Sequence, residues 1–406
     1  MQSSYKPIGN YIRKVNQRNS NLEVTKLMGL SMTKEFRETT SNIVGTDLSV
    51  YKIVRKGQFA CDFMSPIRVN KLPVVLKLDD EPIIVSPAYP VFEVIDPNKL
   101  DPQYLMMWFS RSEFDRYVSF KCDSAIRGGY DWEELCNTLI PVPDIEKQKE
   151  IVAEYHTVVN RIDLNQRLIQ KLEETAQAIY KQWFVDFEFP NEEGKPYKSN
   201  GGEMVESEFG EIPKGWEVKA IKTFGNVVTG KTPSSENPED FGTFMPFVTP
   251  GDFGNYRKFA IGADRNLSEV GAKNLKGKIL KRGSVIVTCI GSDMGKVVIA
   301  SSNCITNQQM NSIVPINSFT SDYLYHSLKL ISRELKSIAL GGSTMPMLSK
   351  TDFEKISILS PSNSTLQSFE KVAAPINSRL LNLSKITSSA VKLKNLLLSK
   401  IATIDN

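Results

Sequence analysis

Asp144 to Phe187 is the stretch that most restricts how this chain can fold, because its apolar residues recur at alternating spacings of three and four. Ile151, Tyr155, Val158, Ile162, Asn165, Ile169, Leu172, Ala176, Ile179 and Trp183 form one stripe, narrow enough for a coiled-coil seam rather than a broad core face. Asp144 can cap its start, Glu146 suits the first turn and Pro143 stands just outside. A helix of about 40 residues at ~1.5 Å per residue is ~60 Å long, roughly twice the width of a small domain. It needs a partner of matching length.

The partner is near the other end of the sequence. Phe369, Val372, Ile376, Arg379, Leu383, Ile386, Ala390, Leu393 and Leu397 repeat the spacing. Ser364 with Gln367 reads as a capping box, and Pro375 predicts a kink or a late start. Asn165 and Arg379 are the two polar members of these stripes; they either fix the register or are tolerated at a wet seam. Two long helices separated by a whole domain can pack antiparallel, which makes the chain a spacer carrying two heads.

At 406 residues, 41% hydrophobic and 24% charged, the composition is that of a soluble protein of two or three domains. The longest apolar runs are strand length, and the opening MQSSYKPIGNYIRK lacks a signal-peptide core. Five cysteines without CxxC spacing and only two histidines point to a reducing cytoplasm and away from zinc. A net charge of +4 identifies no partner. Its distribution says more: residues 1–70 hold 11 Lys and Arg against 5 Asp and Glu, whereas residues 71–143 hold 7 against 12. A polarised face and a mixed solvated surface both account for this.

Residues 1–143 read as a mixed, strand-rich domain with strands at Val74–Leu78, Pro82–Ser86 and Val91–Ile95 and one helix over Pro102–Tyr117. The first long helix spans 144–187. A linker rich in Gly, Pro, Asn and charge covers 188–209. A second strand-rich domain fills 210–361, with strands at Phe244–Thr249, Ser284–Cys289, Lys296–Ala300 and Asn311–Pro315 and a helix near Asp322–Ser337. The second long helix spans 362–406. Gly9-Asn10 and Gly225-Asn226, Tyr104-Leu105 and Tyr323-Leu324, Pro143 and Pro361, and Arg161 and Arg379 recur at offsets of about 216 to 219, the mark of a duplicated domain-plus-helix unit. The fold class is α+β, with a pseudo-two-fold internal repeat about an antiparallel helical pair.

No catalytic constellation assembles. Gly291 to Lys296 has one residue too few between its glycines for a phosphate loop and lacks Ser or Thr after the lysine. Ser86 to Tyr89 only distantly echoes the D/N-P-P-Y/F of amino-methyltransferases, and no cofactor loop accompanies it. What recurs instead is polar and basic clusters in predicted loops. The first domain has Tyr11, Arg13, Lys14, Asn16, Gln17, Arg18 and Asn19, then Arg68, Asn70 and Lys71, then Arg127 and Tyr130. The second has Thr229, Lys231 and Thr232, then Tyr256, Arg257 and Lys258, then Ser292, Asp293 and Lys296, then Asn307, Gln308, Gln309 and Asn311. Arg and Lys pair with guanine, Asn and Gln with adenine, while Lys and Ser hold phosphates. Taken singly each is better read as a solvated loop residue; recurrence in both domains favours the set.

IPVPDIEKQKEIV leading into the first helix, KLEETAQAIYKQWFVDFEFPNEEGKPY at its end, GEIPKGWEV, VVTGKTPS and IRGGYDWEEL together resemble the DNA specificity subunits of type I restriction-modification systems. The resemblance implies two target recognition domains, each reading one part of a split asymmetric site in double-stranded DNA, with the helices setting the gap. It also implies docking of two methyltransferase subunits and, on that core, two restriction subunits. S-adenosylmethionine, ATP and Mg would belong to those partners, and this chain would hold no cofactor or metal and meet no membrane. The second helix departs from the family in PSNSTLQSFEKVAAP, which lacks the expected Glu-Gln pair. A fused methyltransferase and a non-DNA coiled-coil scaffold with duplicated peptide-binding heads are the two competing readings.

Overall fold

The structure is a computed structural model describing residues 5–39, 45–124, 130–234, 236–291, 294–332, 334–335 and 347–403. The chain divides into two compact units, residues 1–162 with 389–406 and residues 163–388.

In the first unit Tyr5–Pro7 pairs antiparallel with the closing strand Leu139–Pro141. Between them lies a four-stranded antiparallel sheet in the order Ile12–Val15, Val91–Val94, Gln58–Cys61, Val74–Leu76. Gln58–Cys61 and Val74–Leu76 are buried at every position, whereas the edge strand Ile12–Val15 exposes Arg13 and Lys14; Phe59 and Phe92 stack at 4.8 Å, and Phe109 meets both edge-on. The single helix expected over Pro102–Tyr117 is instead two, Pro102–Phe109 and Ser112–Ser124. At the break Ser110 Oγ donates to Met106 O at 2.8 Å, a local bond that competes with helix continuation.

The second unit repeats the plan. Glu217–Ala220 pairs with the closing strand Ser357–Ser360. The central sheet runs Gly225–Thr229, Met310–Pro315, Val285–Thr288, Val297–Ala300, with Phe259–Ala260 added in parallel at the edge. The hydrogen bonds fix the equivalence. Ile8 N–H donates to Thr138 O, and Ile221 N–H to Ile356 O, both at 2.9 Å. Tyr104 Oη donates to Pro141 O at 3.1 Å, and Tyr323 Oη to Leu359 O at 2.6 Å. The closing offset of 218 therefore matches the sequence reading, but the opening offset is 213, so Gly9 and Gly225 are not counterparts. Their resemblance is accidental: an added Cβ on Gly9 would meet Cys136, whereas one on Gly225 would meet the Val314 carbonyl.

The long helices are Ile145–Phe184 and Asn363–Lys400. Asp144 Oδ1 caps the first through Lys147 N–H at 2.9 Å; the second is capped by Ser362 Oγ through Thr365 N–H at 3.1 Å, not by Ser364. Pro375 lies inside the second helix without ending it. In the second unit the C-terminal end of the first helix meets the start of the second, Phe184 and Trp183 lying 4.9 and 5.8 Å from Phe369. In the first unit the N-terminal end, with Ile151, Val152 and Tyr155, shares a core with Leu398 and Ile401. The pair is antiparallel.

Along the first helix the expected seam holds: Asn165, Ile169, Ala176 and Trp183 are buried, and Ile151, Val158, Ile162, Leu172 and Ile179 half-buried. Along the second, Phe369, Ile376 and Leu383 hold, but Arg379, Ile386 and Leu393 are exposed, the last two at 46%. The buried positions are Ala373 and Leu380 with Leu366, so the order of three and four is reversed and half the stripe shifts by one residue. Rotating one residue turns a helix by about 100°, enough to carry Ile386 to solvent. Residues 188–209, read as a linker, hold an aromatic stack, Phe189 lying 4.6 Å from Tyr197 and 5.0 Å from Trp216, and a strand, Met204–Ser207, paired with Gly210–Pro213.

Candidate nucleic-acid interface

Strand direction brings separate loops together. In the first unit Val15, Val91 and Ala60 are neighbours across the sheet, and Cys61 faces Val74. Chain leaving Val15, chain leaving Cys61 and chain arriving at Val91 therefore share one sheet end. There lie exposed Asn16, Gln17 and Arg18, then exposed Arg68, Asn70 and Lys71. Buried Asn19 braces the first loop, its side chain donating to Val24 O at 2.8 Å and accepting from Val24 N–H at 3.1 Å. Arg18 pairs across a bridge with Lys52, whose ammonium donates to Tyr89 O at 2.9 Å. Partial burial, then Arg18 and Lys14, push the Lys52 ammonium below its ordinary value. Lys52 is a neighbour of this cluster that the sequence did not single out, and Tyr89 figures there only in the rejected Ser86 to Tyr89 stretch; their position beside Arg18 depends on pairing between strands far apart in the chain. Arg13 is less available: Nε and Nη2 both donate to Glu93 Oε1, at 2.9 and 2.7 Å. Burial works against the Glu93 charge, but hydrogen bonds from Gln58 and Arg13 outweigh it and hold the carboxyl below its usual range.

In the second unit Thr229 faces Asn311, Met310 faces Thr288, and Val287 faces Val297. The corresponding sheet end gathers Lys231 and Thr232, Asn307 to Gln309, and Lys296. Gly230 lets two loops touch: a Cβ there would sit 2.1 Å from Asn307 O and 2.3 Å from Thr306 O. Lys231 N–H donates to Thr306 O at 2.9 Å, Thr232 Oγ1 to Gln308 Oε1 at 2.5 Å, and Thr229 Oγ1 to Asn311 Oδ1 at 2.7 Å. Asn307 Nδ2 donates to Gln309 Oε1 at 3.1 Å. The result is a braced polar surface with exposed Lys231, Thr232, Gln308 and Lys296.

Four candidates are corrected. Asn19 and Asn311 are buried, their side-chain amides donating to Val24 O and Leu348 O. Tyr130 is buried, its hydroxyl 2.9 Å from that of Thr138. Lys258 is buried too, paired with Asp322, 3.4 Å from His326 Nε2 and under the Tyr325 ring. Residue type alone does not report burial, and each of these side chains belongs to a core. Arg257 is exposed, but Tyr256 turns inward to the Gly262 carbonyl, away from the Lys231 loops. Arg127, Ser292 and Asp293 lie outside the described residues.

Among the described residues no group of three or more His, Cys, Asp or Glu could hold a metal, and no helix is long and apolar enough to cross a membrane. The two histidines sit on helices: His156 half-buried beside Tyr155, and His326 held down to about 3 by burial and then by Lys258. What the chain offers is a duplicated sheet-and-helix plan, each repeat ending in a polar sheet-end surface. The family model for the type I restriction modification DNA specificity domain matches residues 75–174 and 213–389, more than half of the sequence and once in each repeat, and the chain belongs to that family. It is 28% identical over 418 residues, 89% of each chain, to the HindI specificity subunit of Haemophilus influenzae. It is 34% identical over 203 residues to the MjaIX specificity subunit of Methanocaldococcus jannaschii, covering 49% of this chain and 45% of that one. The S subunit of a type I system from M. genitalium has the same fold, with a TM-score of 0.62 at 12% identity over 99% of this chain and 96% of that one. Members of this family are non-catalytic subunits that recognise DNA by sequence, which sets aside the fused-enzyme and peptide-scaffold readings.

Proposed function

We propose that this chain reads a bipartite asymmetric DNA site, one half at each sheet end, with the helical pair setting the gap. The observation that carries the reading is the duplication itself: two like-built sheets presenting unlike polar loops, each joined to a helix of about 40 residues and ~60 Å, against ~34 Å for a turn of DNA. The chain directs two methyltransferase subunits and two restriction subunits to that site in the cytoplasm. S-adenosylmethionine, ATP and Mg act on those partners. The test is base-resolution methylation sequencing of DNA from cells holding the methyltransferase partner with and without this chain. A gapped two-part motif that vanishes without the chain is expected, and methylation indifferent to the chain would overturn the proposal. Inserting four residues at Ala176 changes the gap and neither half; an unchanged gap would remove the ruler from the reading.

A further inference from the structure

The two recognition domains are fastened to their helices by different chemistry. Gln148, in the first turn of the first long helix, is fully buried, and both ends of its amide are used. Oε1 accepts from Asp101 N–H at 2.8 Å; Nε2 donates to Lys99 O at 3.0 Å and to Pro143 O at 2.8 Å. Lys99 and Asp101 belong to the turn that launches the domain's helix Pro102–Phe109, whose N-terminus Asp101 itself caps through Gln103 N–H at 2.6 Å. Pro143 lies between the domain's closing strand and the long helix. One side chain thus ties the way into the domain's helix to the way out of the domain, at fixed angles. With Pro143 matched to Pro361, the counterpart in the second repeat is Leu366, buried among apolar neighbours. Apolar packing has no direction and tolerates small rotations; three hydrogen bonds to backbone groups do not.

We propose that Gln148 is a positioning residue that fixes the seat of the first recognition domain on its helix and so sets the precision of the gap between the half-sites. It touches no base and changes no base preference. The inference rests on the bipartite reading above. In the assembled complex Gln148→Leu, which installs the residue of the second repeat, is expected to raise methylation at sites one base pair longer or shorter by about tenfold relative to the parent gap. That is the ratio corresponding to one net hydrogen bond of ~1.4 kcal/mol. The base preferences of both halves stay as they were. Gln148→Met, which keeps the side-chain length and loses the same hydrogen bonds without branching, gives the same spread and covers the case in which the leucine variant does not assemble. A uniform loss of methylation with an unchanged gap distribution in both variants would overturn the proposal and leave Gln148 merely structural. Amide exchange in the full chain separates this from failure of the DNA reading. The Asp101 amide should lose protection in Gln148→Leu even if the parent shows no two-part motif, and retained protection would sink the clamp on its own.

Discussion

The two repeats share the strand pair and the tyrosine anchor at their base and differ where they face outward. Both open with a strand paired to a closing strand, and both send a tyrosine hydroxyl to a carbonyl of that strand, Tyr104 to Pro141 and Tyr323 to Leu359. Away from that base they diverge. The first carries two small two-stranded sheets, whereas the second carries a four-stranded sheet of Phe241–Gly242, Arg265–Leu267, Met245–Val248 and Ile305–Thr306 with the Arg265 guanidinium 4.0 Å from the centre of the Phe241 ring. The lesson is a division within one fold: the strand-and-tyrosine base is kept, while the outer sheets and the residue that meets each long helix, Gln148 or Leu366, are free to vary.

The largest test of this comparison is Phe184→Ala. Phe184 is buried and lies 4.8 Å from Tyr323 and 4.9 Å from Phe369, so truncation should cost ~3–5 kcal/mol. Hydrogen exchange should show protection lost in the sheet of the second unit and kept in Ile12–Val94; equal loss in both would break the independence of the repeats. Next is Asp322→Ala, which leaves Lys258 buried without its partner and should cost ~3 kcal/mol by denaturant unfolding. The matching residue of the first repeat is Gln103, and Gln103→Ala should cost no more than ~0.5 kcal/mol.

Glu370 sharpens the contrast through pH. Burial, then Asp322, pushes its carboxyl up to about 7, against the pull of Lys258. The folded chain holds that proton more tightly than the unfolded chain, so stability is present at low pH and is lost as pH rises from 4.5 through about 7. His326 acts oppositely: held down to about 3, it favours the folded state above 6.5 and loses that contribution as pH falls from 6.5 toward 3. Glu370→Gln removes the first slope and keeps the second. It should stabilise the second unit by ~1–2 kcal/mol at pH 8 and by nothing measurable at pH 5. The smallest effect is expected at the surface. Lys231→Ala should weaken the second half-site by ~1 kcal/mol and reduce the salt slope of binding by about one, leaving the first half-site unchanged. Arg13→Ala should do less at the first, because Glu93 already neutralises it.

The long helices and the first seam were legible because Ile, Val and Leu at strict spacing leave one phase. The second seam was not. Val372 and Ile386 satisfy one order of spacing as well as Ala373 and Leu380 satisfy the other, and only packing against Tyr180 and Phe184 selects between them. The duplication was visible at Tyr104 and Tyr323 and misaligned at Gly9. A better signal stood unread: Arg55-Lys56-Gly57 and Lys281-Arg282-Gly283 precede equivalent strands, and both glycines adopt the left-handed conformation, φ +83° and +89°. The interface was legible as loops and not as surfaces. Nothing local tells Lys258, which is buried beside Asp322, from Lys231, which is exposed.

The Lys14 ammonium lies 5.1 Å from the centre of the Trp132 ring, at the base of the strand that leads into Asn16, Gln17 and Arg18. An indole's emission colour depends on the charge beside it, so any polyanion that draws Lys14 away should shift Trp132 fluorescence without a dye or label. Trp183 and Trp216 of the second unit are buried in its aromatic core, out of reach of such a change. The chain therefore carries an optical reporter beside the proposed first reading surface, whereas Trp183 and Trp216 give none beside the proposed second.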